Sequence, residues 1–500
     1  MEWIVLATIV VPIATALLLV AIPSRMLDIV RGVALVSSAS QFVLSLIVFI
    51  KYQADGGGMR FEKQIDWLSN VGFLGDNGIT IHTGVDGIAA PLVLLTGIVI
   101  FAGVFISWNI ENRTKDFFIL LFLLVSGVFG VFETIDLFFL FFFYEIAVLP
   151  MYLLIAVWGS STNFGHFIRT KEYGAMKLTM MLVGGSVLIF IGIFATFLEA
   201  GRGTFDLPVL GSVVYSEDFQ KTFYPFFLLG FGVLAGLWPF HTWSPDGHVA
   251  APTAVSMLHA GVLMKLGAFG ILRVGMTLFP EGAEFWSPML MTLGVTGALY
   301  GATSALAQRD FKYMIGYSSV SHMGLVMMGL ASMTELGING AVLQMFAHGL
   351  MTALMFSMVG AIYDQTHVRD MRVYGGLAKL MPRQSAFFTI AGLSSLGLPG
   401  LAGFIAEFNI FAGVFQAGYY WAGALGILAA AITATYILRM LAFAYFGPVN
   451  ERWTQLKEMR IGEQFGGALL IAFIAFMGLW PAPFVDRIAA TVERLPGIGT

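Results

Sequence analysis

The stretch Leu137-Phe-Phe-Leu-Phe-Phe-Phe143, followed by Tyr144-Glu145-Ile-Ala-Val-Leu-Pro150, contains a single charged residue. Such a run is typical of a helix that crosses a membrane, which needs about 20 mostly apolar residues. The rest of the chain has the same character, because 58% of its 500 residues are hydrophobic and only 11% are charged. A soluble domain carries about 25% charged residues. The composition therefore predicts an all-α polytopic membrane protein and excludes a soluble enzyme, a disordered chain and a fibre.

Fourteen stretches of the chain are apolar and long enough to be membrane spans. They lie near 2–23, 27–50, 85–108, 116–132, 134–158, 172–198, 221–249, 252–278, 287–308, 311–332, 335–363, 384–416, 419–446 and 464–484. We treat residues 1–500 as one membrane domain with four parts. Residues 1–110 hold the first three spans, 111–280 hold spans 4–8, 285–446 hold spans 9–13, and 447–500 hold the last span. The connection 51–84 is expected to form an ordered external cap with β-like pieces such as Ile79-Thr80-Ile81-His82.

The Lys and Arg residues predict the orientation, because cytoplasmic connections carry an excess of them. With spans that alternate in direction, fifteen of the 26 Lys and Arg fall on one side and eight on the other. The remaining three, Lys177, Lys265 and Arg439, lie in or near span interiors. The fifteen-residue side is therefore expected to be cytoplasmic, and both chain termini are expected outside. The smaller set comprises Lys51, Arg60, Lys63, Arg202, Lys221, Arg273, Arg487 and Arg494.

Among the charged residues inside predicted spans, we single out four: Glu145, Lys177, Lys265 and Glu407. A charged group at mid-bilayer costs roughly 2.5–3.5 kcal/mol on insertion scales, so each is a candidate functional residue. Burial raises the pKa of a carboxylate and lowers that of a lysine, so such pairs can exchange protons near neutral pH. The alternative for each residue is a static ion pair that fixes helix packing, and Lys177 is near enough to a helix end to reach the interface.

Four histidines lie in polar clusters within the predicted spans: His241, His248, His322 and His348. A fifth, His259, precedes Lys265 in the eighth span. Histidine titrates near neutral pH and so suits proton transfer, although His322 and His348 could equally bond a backbone carbonyl. A metal site is disfavoured, because no His-x-x-x-His pair occurs and the chain has no Cys. The absence of Cys also excludes disulfides, Cys-ligated Fe–S clusters and thiol catalysis, and the net charge of −4 gives no reason to expect nucleic acid.

Two spans are expected to be broken. The seventh contains Trp238-Pro-Phe-His-Thr-Trp-Ser-Pro-Asp-Gly-His248, and the twelfth contains Ser394-Ser-Leu-Gly-Leu-Pro-Gly-Leu-Ala-Gly403. Pro and clustered Gly free backbone groups, which a membrane tolerates only beside protein or a water-filled cavity. The breaks are five spans apart, and an odd offset inverts the second copy. Spans 4–8 and 9–13 are therefore predicted to be two inverted repeats, the usual arrangement around a transport site; two coincidental kinks are the alternative.

Long motifs in this sequence resemble those of antiporter-like membrane subunits. The family includes subunits L, M and N of respiratory complex I (NADH:quinone oxidoreductase), Mrp-type cation/proton antiporter subunits and membrane-bound hydrogenase subunits. The segment Leu398-Pro-Gly-Leu-Ala-Gly-Phe-Ile-Ala-Glu-Phe408 looks most like subunit M. The other matching motifs are Trp238–Ser256, Gly261–Gly270, Phe143-Tyr-Glu-Ile-Ala-Val-Leu-Pro-Met-Tyr152 and Asp310-Phe-Lys-Tyr-Met-Ile-Gly-Tyr-Ser-Ser-Val-Ser-His-Met-Gly324.

The resemblance implies roles for individual residues. Glu145 matches the glutamate of the family's fifth helix, Lys265 matches the central relay lysine of the eighth, and Glu407 matches the acid that faces the outer exit. His241, His248, His322 and His348 match the family's central polar axis.

One position departs from the family. Its usual seventh-helix lysine, the partner of the fifth-helix glutamate, is replaced here by Leu234. Lys177, one helix earlier, is the nearest replacement, so we predict a Glu145–Lys177 pair.

The function implied by the resemblance is proton translocation by the M subunit of a bacterial NADH:quinone oxidoreductase in the cell (inner) membrane. The chain itself would hold no cofactor, metal or redox centre. NADH, FMN, Fe–S clusters and quinone would reside in partner subunits, and the expected partners are subunits L and N, smaller membrane chains and a peripheral arm rather than a second copy. A Mrp-type antiporter or hydrogenase subunit is the rival in the same fold. A stand-alone secondary transporter and a structural membrane anchor are rivals of other classes, and the sequence does not decide between H⁺ and Na⁺.

Overall fold

The computed structural model describes residues 2–53, 56–68, 71–74, 78–164, 167–201 and 203–498. In this part of the chain, thirteen helical segments are long and apolar enough to span a membrane, and they coincide with thirteen of the fourteen predicted spans. Their bounds are Trp3–Ala21, Leu27–Lys51, Ala89–Ile106, Thr114–Glu133, Leu137–Trp158, Lys171–Glu199, Glu217–Ala250, Thr253–Met276, Pro280–Ala307, Phe311–Ala331, Glu335–Thr366, Tyr420–Tyr445 and Ile461–Leu479.

The predicted twelfth span is two helices, Pro382–Ser395 and Ala402–Gln416, each too short to cross the bilayer alone. Gly397 and Gly400 between them adopt left-handed backbone conformations, which glycine allows without steric cost. The break that Pro399 and its neighbouring glycines predict is therefore confirmed. The two half-helices together are counted as the twelfth span, so the last two spans are the thirteenth and fourteenth.

The seventh span is also broken, as predicted. Its first helix, Glu217–Ala235, ends at Gly236 in a left-handed conformation, and a new helix runs over Trp243–Ala250. The eighth span is irregular as well, because π-helical turns occupy His259–Leu263 and Ile271–Met276. Such turns free carbonyl groups and are frequent at functional sites.

A two-stranded antiparallel sheet lies between the second and third spans, where β-like pieces are predicted. Strand β1, Arg60–Leu68, pairs with strand β2, Ile79–Val85. His82 on β2 contacts Asp206, and Ile135 N donates to His82 O over 2.9 Å. The hairpin therefore covers the start of the fifth span. A smaller pair, β3 (Thr162–Asn163) and β4 (Ile168–Arg169), lies between the fifth and sixth spans, and Leu207–Gly211, Leu377–Leu380 and Ala482–Val492 form short helices.

The eighth and eleventh spans form the centre of the bundle, and in both the most apolar stretch of 18 residues is completely buried. They touch at Gly261 and Gly349, where a Cβ on Gly349 would lie 2.5 Å from the Gly261 carbonyl oxygen. Only glycine permits so close an approach of two helix backbones. This contact brings the residues that follow Gly261 against His348.

Two matching clasps of backbone hydrogen bonds support the predicted inverted repeat. In each clasp, the start of one span pairs with the segment after the next span, and each of the two helical turns is capped by its own aspartate. The bonds run from Leu137 N to Phe205 O (2.8 Å) and Leu207 N to Ile135 O (2.9 Å), and from Phe311 N to Arg369 O (3.0 Å) and Met371 N to Arg309 O (2.9 Å). The clasps begin the fifth and tenth spans, so an offset of five relates them and they lie on opposite sides of the bundle.

The orientation drawn from Lys and Arg stays a prediction. Arg202, one of the eight residues on the side predicted to be external, lies outside the described residues.

Candidate functional site

Lys265 lies at the centre of the bundle with no solvent exposure. Its ammonium donates to Ala260 O, a carbonyl in the π-helical turn of its own span. It also lies 2.6 Å from His348 Nδ1 on the eleventh span. Among the described residues, no carboxylate lies within ion-pair distance of it. A buried lysine bound to an imidazole and a carbonyl has no fixed counter-charge to hold its proton.

From His348, the series of polar side chains continues to His322 and Glu407. The rings of His348 and His322 have centroids 5.2 Å apart. His322 Nδ1 lies 3.5 Å from Glu407 Oε1 and accepts from Gln344 Nε2 at 3.1 Å, while its Nε2 lies 3.0 Å from Ser395 Oγ. Lys265, His348, His322 and Glu407 therefore form a continuous buried chain that ends at the broken twelfth span.

The break in the twelfth span creates the space for Glu407. Its Oε2 lies 2.8 Å from where a Cβ on Gly397 would be. Glu407 is 6% exposed, and Ser395, the last residue of the first half-helix, completes the polar surroundings of His322. The freed backbone and the acid thus occupy one place.

On the other side of Lys265, His248 and His259 form a second histidine pair. Their ring centroids are 4.2 Å apart, and His259 stacks on Trp243 at 5.2 Å. His248 Nε2 contacts Met264 Sδ at 3.4 Å, while its Nδ1 and both nitrogens of His259 have no hydrogen-bond partner among the residues that the structure describes. Unpartnered buried nitrogens indicate positions that water would satisfy.

His241 and Lys177 lie near the break of the seventh span. The His241 ring packs edge-on against Tyr300 at 5.0 Å. Lys177 Nζ donates to Asp246 Oδ2 at 2.8 Å, and Arg169 Nη1 donates to Asp246 Oδ1 at 2.5 Å. Tyr313 Oη, from the tenth span, donates to the same carboxylate oxygen at 3.1 Å. Asp246 is therefore the centre of a charged cluster that joins three parts of the bundle.

The predicted Glu145–Lys177 pair is wrong, because Lys177 pairs with Asp246. The polar side chain that interacts with Glu145 is Ser186, and Tyr144 Oη donates to Leu182 O at 3.4 Å. Ser186 is nine residues beyond Lys177 on one helix, which is about 14 Å at 1.5 Å per residue. Glu145 thus meets the sixth span too far along it to reach Lys177. The carboxylate is half-buried, and within the described part of the chain its Oε1 has no hydrogen-bond partner.

Asp246 was not among the site residues predicted from the sequence, although it lies in the motif Trp238–His248. Its position two residues before His248, in a span interrupted by Pro239 and Pro245, was the available signal. Leu234, which fills the slot of the family's lysine, is fully buried. Gly174 packs on Asp246 O, so Lys177, one turn later, faces the Asp246 carboxylate.

Within the described part of the chain, no group of three His, Asp or Glu side chains is placed to hold a metal ion. The arrangement instead suits proton transfer between neighbouring groups. Amine, imidazole and carboxyl groups each take up and release a proton, and the separations along the chain are of hydrogen-bond length or one water longer. The two helix breaks supply the polar space that such waters need.

Comparison with known proteins identifies a family and similar chains. The transmembrane family described as NADH:quinone oxidoreductase/Mrp antiporter matches residues 134–433. NAD(P)H-quinone oxidoreductase chain 4 2 from Microcystis aeruginosa is 35% identical over 452 residues, which cover 88% of this chain and 79% of that protein. The chain 4 2 protein from Thermosynechococcus vestitus is 33% identical over 491 residues, 96% of this chain and 89% of that one.

Solved structures share the whole architecture. A chain of respiratory complex I from Thermus thermophilus has a TM-score of 0.87 and 26% identity, and the match covers 98% of this chain and 99% of that one. A chain of the Mrp complex from Dietzia sp. has the same TM-score with 18% identity, over 99% and 97% of the two chains. The second likeness concerns the fold alone.

Proposed function

Because the chain belongs to the NADH:quinone oxidoreductase/Mrp antiporter family of membrane subunits, we propose that it is an M-type, proton-translocating subunit of a membrane-bound quinone oxidoreductase. The observation that carries the proposal is the buried chain Lys265–His348–His322–Glu407 between two broken spans. Electron transfer takes place in other subunits of the complex and drives the change of charge or contact in this one.

In this proposal a proton moves along groups that the fold holds in sequence. Lys265 gives its proton to His348, His322 relays it, and Glu407 releases it on the outer side. His241, His248 and Lys177 lie before Lys265, and Glu145 adds a further titratable group on the fifth span. Both chain termini lie on the outer side of a bacterial cell membrane, since the side rich in Lys and Arg is cytoplasmic.

The partners in this proposal are the other membrane subunits, L and N among them, and a peripheral arm that holds NADH, FMN, Fe–S clusters and quinone. The names of the relatives support this assembly, because proteins 33–35% identical to this chain are called chain 4 of an NAD(P)H-quinone oxidoreductase. A subunit of a Mrp-type cation/proton antiporter is the second candidate, which the shared fold favours.

Glu407→Gln tests the proposal, because glutamine keeps the shape of the side chain but cannot carry the proton. In inverted membrane vesicles supplied with NADH, we expect the initial rate of proton uptake to fall by about tenfold or more. The matched control is Glu335→Gln, an exposed acid at the start of the eleventh span. Equal rates for the two variants contradict the relay. A gradient that depends on Na⁺ rather than on NADH favours the antiporter.

A further inference from the structure

A cavity of about 190 Å³ lies on the side rich in Lys and Arg, where the seventh span meets the eighth. The ends of the third, fifth, tenth and eleventh spans complete its wall. Lys312 and Asp364 are the charged side chains in its lining. One water molecule occupies roughly 30 Å³ in the liquid, so the cavity has room for several.

Lys312 is 2% exposed, and its ammonium donates to Ala251 O at 2.8 Å. Ala251 immediately precedes Pro252, so its carbonyl is at the junction between the two spans. Within the described ranges, no carboxylate lies within 4 Å of the Lys312 ammonium. A lysine that only stabilises packing would be expected to have a close counter-charge, because a buried unpaired charge is expensive.

Asp364, near the end of the eleventh span, faces Lys312 across the cavity. It is exposed, and it also lines a second cavity of about 200 Å³. The charged groups that surround it are Lys312, Arg460 and His367, together with Glu463, Lys457 and Glu458 around the second cavity. Asp364 therefore lies between the membrane surface and Lys312.

On the side away from the membrane surface, Lys312 lies near His248. Ser256 Oγ lies 3.2 Å from Ala251 O, the acceptor of the Lys312 ammonium, and 2.9 Å from His248 O. The charges that act on Lys312 also include Asp310 and Arg369, and Lys312 in turn acts on His248. His248 Nδ1 has no hydrogen-bond partner in the ranges described by the structure. Ser256 thus lies between the carbonyl that binds Lys312 and the backbone carbonyl of His248, and Lys312 is near enough to His248 for its charge to act on the imidazole.

We propose that Asp364 and Lys312 form the cytoplasmic entrance through which protons reach His248, an inference that rests on the proposed function. Asp364 takes one proton from water. Lys312 passes its own proton to His248 through water between the two side chains, and Asp364 then returns one proton to Lys312 through water in the cavity. Each step moves a single proton, and no electron or heavier atom is transferred.

Inverted vesicles test this entrance, because their cytoplasmic face meets the bath. We expect Asp364→Asn to pump near the wild-type rate at bath pH 6.5 and about tenfold more slowly at pH 8.5, where protons are scarce and a collecting group matters. Lys312→Gln, which can still donate to Ala251 O, is expected to slow pumping at both pH values. Asp28→Asn, an exposed acid on the same side, is the control.

Glu407→Gln is measured in parallel to separate the two proposals. If Glu407→Gln is slow at both pH values while Asp364→Asn follows Asp28→Asn, the entrance is wrong and the relay stands. If Glu407→Gln pumps at the wild-type rate, the proposed function itself fails. A pH-dependent loss in Asp364→Asn together with a slow Glu407→Gln supports both.

Discussion

At the scale of single residues, Lys177 binds a different carboxylate from the one that the sequence predicts. Lys177 binds Asp246 at 2.8 Å, and Arg169 binds the same carboxylate. Removing Asp246 alone leaves two cations without their counter-charge, whereas removing Lys177 as well leaves only Arg169. We therefore expect Lys177→Met and Asp246→Asn to be non-additive, with a coupling of roughly 0.5–3 kcal/mol.

The measurement is the midpoint temperature of heat inactivation of the solubilised complex for both single variants and the double variant. The matched comparison is Lys177→Met combined with Glu145→Gln, for which the shifts are expected to add. A large coupling between Lys177 and Glu145, with none between Lys177 and Asp246, contradicts the contacts described above.

Most titratable residues of the candidate site were predictable from the sequence, while Asp246 and the pairings were not. Glu145, Lys265, Glu407 and the histidines are conspicuous because charge is costly in an apolar span. Which carboxylate Lys177 meets depends on how far along the sixth helix each neighbour packs. The offset of nine residues between Lys177 and Ser186 decides which carboxylate Lys177 binds. This offset cannot be read from the sequence of a single chain.

At the scale of elements, the hairpin of β1 and β2 is held by groups that titrate near neutral pH. Burial lowers the pKa of His82, but the hydrogen bond and charge of Asp206, with Glu62, raise it above its ordinary value. Burial also raises the pKa of Asp136, which accepts from Thr80 N on β2, to about 7. Both groups therefore bind protons more tightly in the folded protein than in the unfolded chain.

This difference predicts that the hairpin is held more tightly in acid. A raised pKa contributes stability that is complete below the unfolded value and is lost as the pH rises through the folded value. For Asp136 the loss runs from about pH 4 to about pH 7, and for His82 it continues above pH 6.5. We expect amide hydrogen exchange in Ile79–Val85, corrected for intrinsic rates, to show weaker protection at pH 8 than at pH 6.

Asp206→Asn should reduce this pH dependence, since it removes the main partner of His82. Asp66→Asn on the exposed side of β1 is the control and should leave it unchanged. Protection that is equal at the two pH values in the wild-type protein contradicts the assignment. The strand itself was predictable from Ile79-Thr80-Ile81-His82, but its ion pair with Asp206, 124 residues away, was not.

At the scale of the whole molecule, the fold was largely predictable because the bilayer limits the choices. Backbone groups in a membrane must be satisfied within helices, so span number, breaks and alternation follow from composition and from Pro and Gly positions. The twelfth span shows the limit, because whether its halves count as one span depends on how they pack. The two clasps, at Asp136 with Asp206 and at Asp310 with Asp370, support the inverted repeat.

The central claim is that this chain works as a proton-carrying subunit of a large NADH-oxidising complex. A native gel of gently solubilised source membranes, probed for this chain and stained for NADH oxidation, tests it most directly. We expect the chain to run in a very large NADH-active band. A chain found only in a smaller band without NADH oxidation contradicts the account and favours an antiporter or hydrogenase assembly.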